Sequence, residues 1–262
     1  MSGKILLALI LGGATGAVAG YLGSLMLSKR MALVGGALGH LTLPGIALAL
    51  LYDFDVSIGA VLFLGFGMLL IWYLERVTRL HLEALTAVVF STALATAFLF
   101  LPEEETDIAL LGDVSRITVT TAVITVAIAL GIFFMVRHIY SNLVLIGISS
   151  DLAGAQGLDL RWHNAVYLIC IALTVALGVR IVGGLMTAAL LAIPACTARN
   201  VSRNLGQYAA ISGAAGGLSA LAGILAHATI SVPPGPSIIL ASGFLFLGSV
   251  YLKVRRERAD RI

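Results

Sequence analysis

Val182-Gly183-Gly184-Leu185-Met186-Thr187-Ala188-Ala189-Leu190-Leu191-Ala192-Ile193-Pro194-Ala195-Cys196-Thr197-Ala198-Arg199 is the stretch on which the architecture turns. It is apolar almost throughout and ends on a cation, as a membrane span commonly does. The apolar run before it, near 164–181, leaves only Arg180 and the pair Gly183–Gly184 to reverse the chain. A very tight turn there makes 182–198 a span of its own. A re-entrant or broken segment over 181–199 removes one crossing.

Outward from this stretch the same theme repeats. Crossing the hydrocarbon core of a bilayer takes roughly 20 apolar residues in a helix. Candidate runs lie near 5–27, 33–51, 56–74, 82–101, 117–137, 164–181, 182–198, 206–230 and 236–253. The expected fold class is all-α: a polytopic membrane helical bundle of about nine transmembrane helices, or eight if 181–199 is re-entrant. Composition agrees. Hydrophobic residues make up 60% of the 262 residues, charged residues only 11%, and the mean hydropathy is +1.05. A soluble domain carries about 25% charged residues, so too few charges remain here to coat a water-facing surface.

Small residues suggest how the spans meet. Gly12, Gly16 and Gly20 form a stripe on the first span, and Gly35 with Gly39 does so on the second; such faces let helix backbones approach closely. Lys4, an apolar run and Ala17-Val18-Ala19 mimic a secretory signal. The run continues to Leu27 and closes on Lys29 and Arg30, the pattern of a retained first span. Cys170 and Cys196 sit in apolar runs without CxxC spacing and read as small buried thiols. No linker or repeat marks a second unit, so residues 1–262 read as one membrane domain.

Loop charges orient the bundle. With the N-terminus outside and the spans alternating, the cytoplasmic segments hold Lys29, Arg30, Arg76, Arg79, Arg137, Arg161, Arg199, Arg203 and the tail Lys253, Arg255, Arg256, Arg258 and Arg261. Only Lys4, Arg116 and Arg180 of the 16 cations stay outside. The external loops collect Asp53, Asp55, Glu103-Glu104-Glu105, Asp107 and Asp113. This asymmetry follows the positive-inside rule and places the C-terminus in the cytoplasm.

The chemistry missing from the sequence narrows the function. No G-x-x-x-x-G-K-[ST] loop cradles nucleotide phosphates, no H-E-x-x-H marks a zinc protease, and no G-x-S-x-G elbow is present. Paired intramembrane carboxylates, the usual hardware of proton-coupled carriers, are also missing. No enzyme constellation appears, and any energy source must come from somewhere else. One segment suits either docking into a partner or an ordinary interfacial helix. Ser149-Ser150-Asp151-Leu152-Ala153-Gly154-Ala155-Gln156-Gly157-Leu158-Asp159, in the longest cytoplasmic connection, predicts a short helix near 149–158. Ser150 caps it, Asp151 favours its positive end, and Gly157 supplies a left-handed stop.

Four blocks in order carry a family resemblance. They are Arg30-Met31-Ala32-Leu33-Val34-Gly35-Gly36-Ala37-Leu38-Gly39-His40 running on to Leu43-Pro44-Gly45; Leu111-Gly112-Asp113; Ser150–Gly157 with the opening stretch Val182–Arg199; and Pro233-Pro234-Gly235-Pro236-Ser237. Together they resemble the zinc/manganese-type metal ABC transporter permease family (the ABC-3 family). That resemblance implies a vitamin B12-importer-like type II permease that works as a homodimer. Its partners would be a cytoplasmic ABC ATPase subunit and an extracytoplasmic metal-binding protein, with no nucleic acid. It also implies that Ser150, Asp151, Leu152, Ala153, Gly154 and Gly157 form the helix that couples to the ATPase.

The same resemblance makes His40 the motif histidine of the second span and a metal contact on the path, since neutral imidazole is a good ligand for zinc. Two usual carboxylates are replaced: Gly36 stands where the family commonly has aspartate, and so does Ser231 before the last turn. His227, one turn before Ser231, is the compensating candidate. Imidazoles without carboxylates favour zinc over manganese, so the expected cargo is a divalent metal, zinc, with no cofactor bound. His81, His138 and His163 read as interfacial residues. The alternatives are a manganese or iron importer of the same family, or a siderophore or cobalamin ABC permease.

Overall fold

The computed structural model describes residues 3–29, 39–78, 80, 82–100, 117–184 and 186–259. Among these residues every regular element is an α-helix. The helices are α1 (Gly3–Ser28), α2 (Leu43–Leu51), α3 (Val56–Thr78), α4 (Leu82–Phe100), α5 (Val119–Ile148), α6 (Ser150–Ala155), α7 (Leu160–Val182), α8 (Thr187–Val201), α9 (Leu205–Ile230) and α10 (Pro234–Ala259).

Every apolar run of the sequence coincides with one of these helices, but their lengths differ. Six helices, α1, α3, α5, α7, α9 and α10, are long and apolar enough to cross a membrane. The apolar helices at Gly39–Leu51 and Ala84–Leu99 are shorter. So is α8, whose 15 residues span roughly 22 Å against about 30 Å of hydrocarbon. Six of the nine expected runs are thus helices long and apolar enough to cross, and the described parts of the other three are shorter helices.

Two of the short helices begin at breaks with local causes. Before α2, the Thr42 hydroxyl donates to the Gly39 carbonyl at 2.6 Å and ends the turn over 39–41. Pro44, in the first turn of α2, has no N–H to lose. After α7, Gly183 sits at φ +81°, a conformation open to glycine because it has no Cβ. The Thr187 hydroxyl then donates to the Gly183 carbonyl at 2.6 Å and starts α8. The tight turn expected around Arg180–Gly184 therefore falls slightly later, between Val182 and Thr187. The two breaks abut: a Cβ placed on Gly39 would come within 3.0 Å of the Gly184 carbonyl oxygen.

α1 lies at the centre, packed on α9, α8, α5 and α7. Its glycine stripe does what the sequence suggests. A Cβ on Gly20 would collide with the Ser212 carbonyl of α9, and one on Gly16 with the Gly216 carbonyl. The Ser212 hydroxyl also donates to the Gly20 carbonyl. The Tyr167 hydroxyl of α7 donates to Leu22 O at 2.9 Å, so the centre of the bundle is joined through backbone as well as apolar surface. α2, α3 and α4 form a second group, tied to the first where α3 meets α7. Within it Gly45 and Gly59 face each other so closely that neither tolerates a Cβ.

Candidate functional site

α6 is held in place by its ends. The Ser149 hydroxyl accepts from Leu152 N at 3.2 Å, with Ser149 in extended backbone (φ −152°, ψ 109°). The capping residue is thus Ser149, one position before the expected Ser150. A serine caps from extended backbone, and Ser150 is already the first helical residue. Asp151 lies in the first turn. Gly157, at φ +77°, provides the expected left-handed stop, and Leu158 N returns to Ala153 O at 3.1 Å.

Ala153 is completely buried and pins α6 to the bundle, while Leu152 is 50% exposed. Asp151, Gly154, Ala155, Gln156 and Gly157 are also exposed. The result is a short platform with one apolar side chain at its tip and small residues around it. Its two flanking helices are bridged below it. Asn142 of α5 donates to His163 Nε2 at 3.0 Å, while His163 Nδ1–H donates to Asp159 O at 2.7 Å. Asp159 also caps α7 through Trp162 N at 3.0 Å. His163 is therefore a structural tie between α5 and α7. Sequence reasoning left it as a generic interfacial residue because its partner lies on another helix.

The two histidines expected to meet metal occupy different parts of the bundle. His40 sits at the break before α2, its ring 4.7 Å from that of Phe90 on α4. Its Nδ1 is buried without a hydrogen-bond partner among the described residues. His227 lies near the far end of α9, where its Nδ1–H donates to Val232 O at 2.7 Å. That bond fixes the tautomer and leaves Nε2 as a lone pair. It shares a cavity of about 290 Å³ with Lys4 and Ser231, and the Lys4 ammonium there opposes a dication. α2 and α9 do not touch. Among the described residues no group of three His, Cys, Asp or Glu side chains gathers to hold a metal. Gly36, His81, the acidic positions Glu103, Glu104, Glu105, Asp107 and Asp113, and the Leu111-Gly112-Asp113 block lie outside the described residues.

Long apolar helices, broken helices abutting in the interior and a short capped helix at one end define the class: a polytopic helical membrane protein. The backbone superposes on PsaBC from Streptococcus pneumoniae in complex with Fab with a TM-score of 0.85, at 24% identity, covering 95% of this chain and 91% of that one. An inward-facing ABC transporter described as of metal-chelate type gives 0.72 at 20% identity, covering 95% and 84%. At these identities the likeness is one of fold. The model of the ABC 3 transport family matches residues 2–253, and the chain belongs to that family. Among curated relatives, the manganese import system permease protein ScaB of Streptococcus gordonii is 25% identical over 250 residues, 94% of this chain and 90% of that one. The high-affinity zinc uptake system membrane protein ZnuB of Haemophilus influenzae is 28% identical over 246 residues, 90% and 92% of the two chains.

Proposed function

We propose that this chain is the membrane-spanning permease subunit of an ABC importer for a divalent metal ion, with zinc as the preferred cargo. The family match along residues 2–253 carries the permease assignment. In this reading the α6 end faces the cytoplasm, the N-terminus lies outside, and one membrane domain of about nine crossings pairs with a second copy. α6 seats on a separate ATPase through Asp151, Leu152, Gly154 and Gly157, with Ala153 anchoring it and Ser150 opening it. ATP-driven closure of that partner moves α6, and the breaks at Gly39–Thr42 and Gly183–Met186 absorb the motion as the path alternates. An extracytoplasmic binding protein delivers the metal.

Zinc is favoured by the donor set. His40 offers a buried imidazole nitrogen without a partner among the described residues, and His227 keeps its Nε2 outside the bond to Val232. Imidazole suits zinc, whereas manganese prefers oxygen-rich sites. A sparse path is physically reasonable, because a conducted ion must leave as readily as it enters. Manganese is the second reading, favoured by the similarity to ScaB. Competition uptake in cells expressing the transporter separates the two: unlabelled zinc should suppress radiolabelled manganese entry far more than the reverse. Manganese that outcompetes zinc overturns the zinc assignment. His40→Ala should lower uptake at least tenfold while leaving ATPase association intact; unchanged uptake makes His40 a packing residue against Phe90.

A further inference from the structure

Two cavities stack along the same face of α5 at its α6 end. The deeper one, about 690 Å³, runs between α1, α5 and α9 over apolar side chains such as Phe133 and Leu130, with Arg137 and Tyr140 towards the α6 end. The second, about 400 Å³, continues past Leu143 to Ile148 and is lined by Lys29 and Arg199. Phe133, Arg137, Tyr140, Val144 and Gly147 follow helical spacing, so one face of α5 floors both spaces. Among the described residues no acidic side chain lines either cavity.

The chemistry changes at the depth where a bilayer changes. α5 has 30 residues and is roughly 45 Å long, against about 30 Å of hydrocarbon. Its last turns, beside Lys29 and Arg199, therefore reach the headgroup layer, while the Phe133 region lies among acyl chains. Lys29 is half-buried and gives one N–H to Asn164 Oδ1 at 2.6 Å. An ammonium has three donors; this one also lies 5.3 Å from the centroid of the Tyr167 ring, and burial pushes its pKa down.

We propose that this groove binds an anionic phospholipid of the inner leaflet, its phosphate between Lys29 and Arg199 and an acyl chain along α5 beside Phe133. The assignment to the inner leaflet rests on the orientation given under Proposed function. The lipid brings an anion to the two cations that line the second cavity and fills the space beside α1.

Native mass spectrometry of the detergent-purified chain tests this with phosphatidylglycerol and phosphatidylcholine of matched acyl chains. One phosphatidylglycerol per chain should be retained at least about tenfold more tightly than phosphatidylcholine, as expected for two cations at an anionic surface. Lys29→Gln with Arg199→Gln should remove that preference, and Ala210→Phe, which fills the deeper cavity and leaves the charges alone, should weaken retention of both lipids. Equal retention of the two lipids overturns the proposal, as does a preference untouched by the double substitution. Displacement of phosphatidylglycerol by millimolar inorganic phosphate marks a free-anion site and overturns it too. The assay contains neither ATPase nor metal, so a negative result leaves the permease reading standing. A Lys29→Cys chain labelled by an impermeant maleimide from outside intact cells overturns the inner-leaflet assignment and the orientation together.

Discussion

The seam between α1 and α9 and the hairpin formed by α5, α6 and α7 are built on opposite principles. At the seam, Gly16 and Gly20 bring backbone against backbone, and a single added methyl collides with a carbonyl of α9. In the hairpin, α6 touches the bundle through Ala153 and leaves most of its remaining residues exposed, with caps and a His163 bridge holding its flanks. The seam has no room for an added methyl, whereas α6 itself meets the bundle chiefly through Ala153. A permease needs both: a scaffold that keeps its form through a cycle, and a lever whose position a partner can set.

Substitutions that exchange these properties should separate stability from coupling. Gly20→Val pushes a branched side chain into the Ser212 carbonyl and should cost about 3 kcal/mol or more. It should appear as loss of monodisperse protein and a large drop in the thermal midpoint in detergent. Wild-type stability would mean the seam opens easily and the contrast is wrong. Ser149→Ala removes the α6 cap and should cost roughly 1 kcal/mol, seen as faster amide exchange confined to residues 150–157. Leu152→Glu changes an exposed side chain and should move stability by only about 0.5 kcal/mol or less. Even so, it should abolish co-purification of the partner ATPase. Full ATPase recovery with Leu152→Glu would remove α6 from the docking surface.

The sequence makes the seam and α6 readable for the same reason: both are local. Gly12, Gly16 and Gly20 repeat on one helix face, and Ser149 to Gly157 carries its own start and stop signals within nine residues. The one-residue error in the cap, Ser149 in place of Ser150, turns on which serine adopts extended backbone, and neighbouring side chains of the same type do not reveal that. The His163–Asn142 bridge, the Phe90 ring against His40 and the cationic groove each join residues from different helices. Their juxtaposition is set by helix rotation and crossing, which periodicity does not encode. Breaks inside the apolar runs are hidden for a related reason. The runs at 33–51 and 182–198 are apolar over a full crossing, but Thr42 and Gly183 end hydrogen-bonded turns inside them.

The most direct test is metal uptake into proteoliposomes that contain the chain, its ATPase and loaded binding protein, with and without ATP. Zinc should accumulate only when ATP is present, and Leu152→Glu chains that insert normally should fail to drive it. Equal zinc entry without ATP, or from vesicles holding this chain alone, would contradict the assignment of this protein as the path and lever of an ATP-driven importer.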